Sequence, residues 1–308
     1  RAVPELPRGA RTGRGAGMTL AIDLWNPSHA TFAGALATAF LLGIVHGVTP
    51  DEHTWPITFS YAIGGYSTRR GLFAGLTFSL AFTVQQALAS ELAYLGFAHL
   101  LTFGPLDAVI DIVVGIVMAT AGLFVMGRRT LPHLPLPGRA RRAGGEAQFR
   151  ELKPWMPAVH GFIAGWGLDA FALILYTVLA PAMPSAATGW LPGLIYGFGT
   201  LLVQAVAGAA LGAWLARRGL RPEAIRRIGL LTAARTLLWG GVAFVALGLV
   251  GMFFPSVADL AVTTPLRVHN LHTLGLPFFV LLFIVIGVGA TTLIGATRAA
   301  RRPSTPAA

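Results

Sequence analysis

The chain has no cysteine. That excludes disulfides, thiolate metal sites and any dithiol relay of electrons. Charge is scarce as well: only 11% of the 308 residues are Asp, Glu, Lys or Arg, against about 25% in an ordinary soluble domain. Acids are the scarcer sign, 12 against 23 bases. No phosphate-cradling Gly-Lys-Ser/Thr motif is present, so nothing points to nucleotide-driven work. What fills the chain instead is apolar: 55% hydrophobic residues and a mean hydropathy of +0.68. With several uncharged runs of about 20 residues, this reads as an all-α, polytopic helical membrane protein in contact with the lipid bilayer. The net charge of +11 sits in short loops and tails, so it reports orientation rather than nucleic-acid binding.

Apolar segments fall near 30–48, 54–67, 71–98, 105–127, 155–183, 189–216, 228–254 and 274–298, giving seven or eight passages at roughly 20 residues each. Alternate loops are basic. Arg69 and Arg70 lie in one, Arg128, Arg129, Arg139, Arg141, Arg142, Arg150 and Lys153 in the longest, and Arg217, Arg218, Arg221, Arg226 and Arg227 in another. Arg298, Arg301 and Arg302 follow the last passage, so these sides and the C-terminus are cytoplasmic. The N-terminus is inside if 54–67 crosses by itself, and outside if 30–67 makes one broken passage. Residues 1–17 are Arg- and Gly-rich and unlike a signal peptide, and Met18 is a candidate start. The expected plan is a disordered or amphipathic tail over 1–29, a membrane repeat over 30–127 and a flexible basic loop over 128–153. A second repeat over 154–254, an external loop over 255–273, a C-terminal helix over 274–298 and a tail over 299–308 complete it.

The two repeats are legible as an internal duplication. Val45-His46-Gly47 matches Val159-His160-Gly161, and Gly71-Leu72-Phe73-Ala74-Gly75-Leu76 matches Gly189-Trp190-Leu191-Pro192-Gly193-Leu194. Gln86 then falls on Gln204, with one small insertion needed because the offset drifts from 114 to 118. Gly71 begins a passage inside and Gly189 one outside. The halves are therefore expected to be related by inversion, an arrangement common in secondary transporters.

The densest chemistry lies at Leu42-Gly43-Ile44-Val45-His46-Gly47-Val48-Thr49-Pro50-Asp51-Glu52-His53-Thr54-Trp55-Pro56. Ionisable groups in hydrocarbon cost several kcal/mol, so by default they mark an ion or proton path. Helical Pro50 and Pro56 would remove the hydrogen bonds owed to the carbonyls of His46 and Glu52, so 46–56 is expected to be unwound. In a continuous helix His46 and His53 would stand about 10 Å apart along the axis, too far for one ion with bonds near 2.0–2.2 Å. Unwinding lets His46, Asp51 and His53 turn toward one point, with Glu52 as a fourth ligand, a partner of an imidazole or a proton acceptor. Imidazole and carboxylate without thiolate suit divalent Ni, Co, Zn, Mn or Fe. The alternative is a helix end at the membrane surface, where such residues are ordinary.

Elsewhere, His160 and Asp169 are the second-half counterparts, for a gating or ligand role or a structural hydrogen bond. Gln86, Gln204 and Glu91, with Gln85 and Ser90, can line a hydrated path or bond neighbouring helices. Asp107 and Asp111 share a helix face, and Arg235 is the expected counter-ion for one of them or for Asp169. His269 and His272 lie in the external loop, and Gly115, Ala119 and Gly122 form a packing face.

At His46-x-x-x-Pro50-Asp51-Glu52-His53 the chain resembles the nickel/cobalt transporter superfamily, including the membrane proteins found near urease accessory genes. The interval between its two histidines is seven residues, against six in that family's signature, and the long basic loop lacks a histidine run. The resemblance covers about a dozen residues specifically and the rest only in hydropathy. It implies a permease of a prokaryotic inner membrane moving Ni²⁺ or Co²⁺ with His46, Asp51 and His53 as ligands; no enzymatic activity is expected of the chain, and a second copy of it is an expected partner alongside the ion and the bilayer. The two-repeat plan is also similar to membrane proteins that carry electrons for cytochrome maturation, but their chemistry needs paired cysteines. A membrane metalloenzyme with Glu52 as general base, and a non-transporting accessory protein for metallocentre assembly, would use the same ligands.

Overall fold

A computed structural model describes residues 24, 31–49, 51–127, 149–266 and 271–301. The expectations for the 1–29 tail, for residues 128–148 of the basic loop, for the conformation at Pro50, for His269 and for the tail beyond 301 fall outside these residues.

Helix α1 (Phe32–Val48) starts at Thr31, whose hydroxyl accepts the Gly34 N–H. It stops at Thr49, which is extended (φ −69°, ψ 142°), as expected of a residue that precedes a proline. Helix α2 (Trp55–Gly64) carries Pro56 in its first turn, where a missing N–H is not needed. The break therefore runs over 49–54 only. His46 is in the last turn of α1, and Pro56 starts a helix rather than breaking one.

Helix α3 (Thr68–Leu101) is capped by Ser67 and kinked at Gly96, whose φ of 94° only glycine adopts freely. Helix α4 (Gly104–Val125) follows. The passage expected as one piece over 155–183 is instead two short helices, α5 (Met156–Ala164) and α6 (Ala170–Leu179), interrupted at 165–169. Then come α7 (Leu191–Ala216) and α8 (Pro222–Phe253). A single helical turn and a small antiparallel hairpin, Ala261–Thr263 with Thr273–Gly275, lead to α9 (Leu276–Arg301). The fold is all-α apart from that hairpin. Five helices, α3, α4, α7, α8 and α9, are long and apolar enough to cross a membrane, while α1 and α6 are apolar but shorter.

Glycines set the packing. Helices α3 and α7 run antiparallel in backbone contact: a Cβ on Gly71 would lie 2.2 Å from Gly208 O, and one on Gly193 2.0 Å from Gln86 O. Small residues permit this approach, on which association in lipid depends. The Gly115, Ala119, Gly122 face of α4 meets α8 in the same way, at Gly241 and Leu238. Helix α1 lies parallel to α7, with Gly43 against Tyr196 O, and α5 lies parallel to α3, with Gly161 against Phe78 O. Helix α2 turns back into α3 at Gly65–Ser67, so α1 and α2 both run against α3. Residues 32–64 therefore form one interrupted passage, not two.

These contacts come in pairs. Gly75 faces Gln204 O and Gly193 faces Gln86 O. Gln204 Nε2 donates to Gly47 O at 3.3 Å, and Gln86 Nε2 donates to Gly165 O at 3.1 Å. Gly43 faces Tyr196 O and Gly161 faces Phe78 O. In every case the matching residues differ by 118, so the insertion expected from the His46 and His160 alignment is not needed. At this register the mate of Asp51 is Asp169, and the mate of His160 is Leu42.

Candidate metal centre

The two interruptions meet in the interior. Each carries an aspartate whose side chain accepts the backbone N–H three residues on: Asp169 caps α6, while Asp51 closes the turn that leads into α2 at Thr54. Asp51 Oδ2 accepts the Thr54 N–H at 2.8 Å, and Asp169 Oδ1 accepts the Ala172 N–H at 2.6 Å. A helix N-terminus favours a carboxylate through its unpaired N–H groups and its dipole. These backbone hydrogen bonds hold both acids in place, and His46 Nδ1 lies 2.8 Å from the other Asp169 oxygen, Oδ2.

Ligand atoms of His46, Asp51 and Asp169 all lie within 4.8 Å of one another, and so do those of Asp51, Glu52 and His53. Asp51 is common to both groups. The local signature thus splits across two adjoining triads rather than closing on one point, and the second half contributes Asp169 to the first triad. His46, Asp51, His53 and Asp169 line a cavity of about 10 Å³ together with Thr54, Phe82, Gln86, Ala164, Gly167 and Tyr196. That is room for about one water-sized sphere. No lysine or arginine is among the lining residues, and the salt bridges at the cluster run from carboxylates to His46 and His53. Burying several carboxylates with only imidazoles as partners costs several kcal/mol, and a bound cation would offset that cost. Nitrogen and oxygen donors without sulfur fit a divalent ion of the Ni, Co, Zn, Mn or Fe group.

Packing fixes the imidazoles. His46 is stacked on Phe82 with ring centroids 5.6 Å apart and edged by Phe171 and Tyr196, and its Nε2 has no hydrogen-bond partner among the described residues. His53 Nε2 lies 3.0 Å from Asp111 Oδ1 on α4, while its Nδ1 faces Glu52 Oε1 at 3.8 Å. A carboxylate behind an imidazole orients the ring and raises its basicity toward a metal. Gly167 crosses the face of the His53 ring, where a Cβ would come 2.6 Å from Cε1. Asp107 Oδ1 accepts the Leu168 N–H at 2.9 Å and so steadies the second interruption.

Several residues are placed differently from the sequence expectation. Asp111 and Asp107 serve His53 and the 165–169 break, while Arg235 is exposed on α8. A shared helix face reveals that two acids go together but not which distant residue they meet. His160 belongs to neither triad. Its Nδ1 lies 3.0 Å from Tyr61 Oη and 2.9 Å from Met156 O, and it borders a separate cavity of about 150 Å³. Gln86 lines the small cavity, whereas Gln204 bonds Gly47 O on α1. Glu91 lies farther along α3 beside Gly189 and belongs to neither triad. His272 is half-buried next to the hairpin, its Nδ1 3.2 Å from Leu266 O.

No family model, no curated protein and no solved structure matches the chain. What the fold and the site define is a helical protein with five helices long and apolar enough to cross a membrane and a buried His/Asp cluster able to hold a metal.

Proposed function

We propose that this protein is a secondary permease for a divalent transition-metal cation, Ni²⁺ or Co²⁺ first among them, bound by His46, Asp51 and Asp169 with Glu52 and His53 alongside. The observation that carries the reading is the meeting of Asp51 and Asp169. Two aspartates at the helix breaks, 118 residues apart in a paired set of contacts, bring their carboxylates to one buried point beside the His46 imidazole. Discontinuous helices facing each other near the middle of the bilayer are where inverted-repeat transporters place their ion sites. The antiparallel α3–α7 pair supports an inverted relation between the halves, because the matched glycines Gly71 and Gly189 lie at opposite ends of it. With basic ends inside, residues 32–64 run inward as one broken passage and α1 begins outside. Rocking of one half against the other about the two breaks would open the site to each side in turn.

A cavity of about 10 Å³ favours transport over catalysis, since it leaves no space for an organic substrate beside the ion. The test is flux. Purified protein in proteoliposomes should admit or expel Ni²⁺ or Co²⁺, followed by an entrapped metal-sensitive dye, and Asp51→Asn should stop it. Tight binding with no flux would reassign the protein to metallocentre assembly.

A further inference from the structure

A second cavity lies away from the metal cluster. It encloses about 670 Å³ between the end of α2, the start of α3 and the stretch 151–157. Three cations, Arg69, Arg70 and Lys153, line it against one carboxylate, Glu151. That carboxylate is already engaged: Arg226 Nε reaches it at 2.6 Å, Tyr66 Oη at 3.2 Å and Arg70 at 3.4 Å. Arg69 and Lys153 enter no salt bridge among the described residues. The cavity thus holds a surplus of positive charge at the end of the helices that the loop charges mark as cytoplasmic.

Its other wall is apolar and faces outward. Leu72, Phe73 and Leu76 are lining residues that stay substantially exposed, and Leu80, Val84 and Leu88 continue an exposed apolar row that winds along α3. The stripe from Leu72 to Leu88 is about 24 Å long at 1.5 Å per residue. A basic pocket opening onto a lipid-facing apolar stripe has the two-part chemistry of a phospholipid, phosphate at one end and acyl chain along the other. An acidic peptide or a free anion would satisfy the cations and leave the stripe uncovered.

We infer that this cavity binds the headgroup of an anionic phospholipid of the cytoplasmic leaflet, with its acyl chain along Leu72–Leu88. The inference rests on the membrane reading and is independent of the metal. The experiment is native mass spectrometry of the full chain in detergent, titrated with phosphatidylglycerol or phosphatidylcholine. The wild type should hold phosphatidylglycerol at least about tenfold more tightly. The double variant Arg69→Gln/Lys153→Gln should lose that preference to within about twofold. So should Leu72→Glu, which sets a like charge at the mouth. The control Arg298→Gln/Arg301→Gln, two exposed cations at the end of α9, should keep it. No preference in the wild type, an unchanged double variant, or equal loss in the control would each overturn the site. Equally tight binding of sn-glycerol 3-phosphate would also overturn it, by showing a site for soluble anions. Ni²⁺ binding measured on the same samples separates the two readings: its absence would sink the metal proposal and leave this one untouched.

Discussion

Asp51 and Asp169 hold equivalent places in the molecule. Each lies in a break between two helices, each accepts the backbone N–H three residues on, and the two carboxylates reach the same cluster. The equivalence stops at their neighbours. The mates of His46 and His53 at the 118-residue register are Ala164 and Phe171, so both imidazoles come from the first half. The result is a near-symmetric pair of acids with an asymmetric pair of bases.

Because the acids are shared between the halves, Asp51→Asn and Asp169→Asn should weaken Ni²⁺ binding alike, by about 100-fold or more, or about 2.7 kcal/mol. His46→Ala should do the same, and His269→Ala, in the external loop, should not. Titration calorimetry in detergent reads all four. Wild-type affinity in Asp169→Asn would remove the second half from the site.

Asp111 does not touch the small cavity, yet it holds His53. Asp111→Asn keeps the volume and removes the charge behind the ring, so the affinity should fall about 10- to 100-fold while the melting temperature moves little. A full-strength site in Asp111→Asn would mean that His53 is oriented by its packing against Phe244 alone.

Gly167→Ala tests the close crossing of the second break over His53. The added methyl meets the ring at 2.6 Å, and overpacking of this kind costs about 1–3 kcal/mol. Metal binding should drop with it, since the ring must shift. Gly295→Ala on α9 meets nothing within 4 Å and should leave both melting and binding as they are. Equal behaviour of the two variants would contradict the crossing.

The absence of cysteine makes every introduced one a unique reporter of sidedness. In intact cells an impermeant maleimide should label Thr31→Cys and Ser185→Cys, and reach Thr68→Cys only after permeabilisation. Labelling of Thr31→Cys and Thr68→Cys from the same side would show that 32–64 crosses twice, and the inverted plan would go with it.

Much of the layout was readable from the chain because hydrocarbon imposes local rules. Long apolar runs, basic loops and small-residue faces each reflect a requirement met within one segment, and α3, α4, α7, α8 and α9 follow from them. The break before Asp51 was readable too, since Pro50 acts on Thr49, its immediate neighbour. The break at 165–169 carries no proline. Gly165, Trp166, Gly167 and Leu168 do not forbid a helix, and what holds them open is tertiary: Gln86 on Gly165 O and Asp107 on the Leu168 N–H.

Sequence by itself determined that this chain is helical, carries helices long and apolar enough to cross a membrane and concentrates imidazole and carboxylate at 46–53, because composition and proline geometry act at short range. Only the tertiary structure decided that Asp169 joins Asp51, that Asp111 stands behind His53 and that the halves align at a constant 118. Those pairings span 118 and 58 residues. The energy that selects them is the cost of leaving each buried acid alone, which no local pattern records.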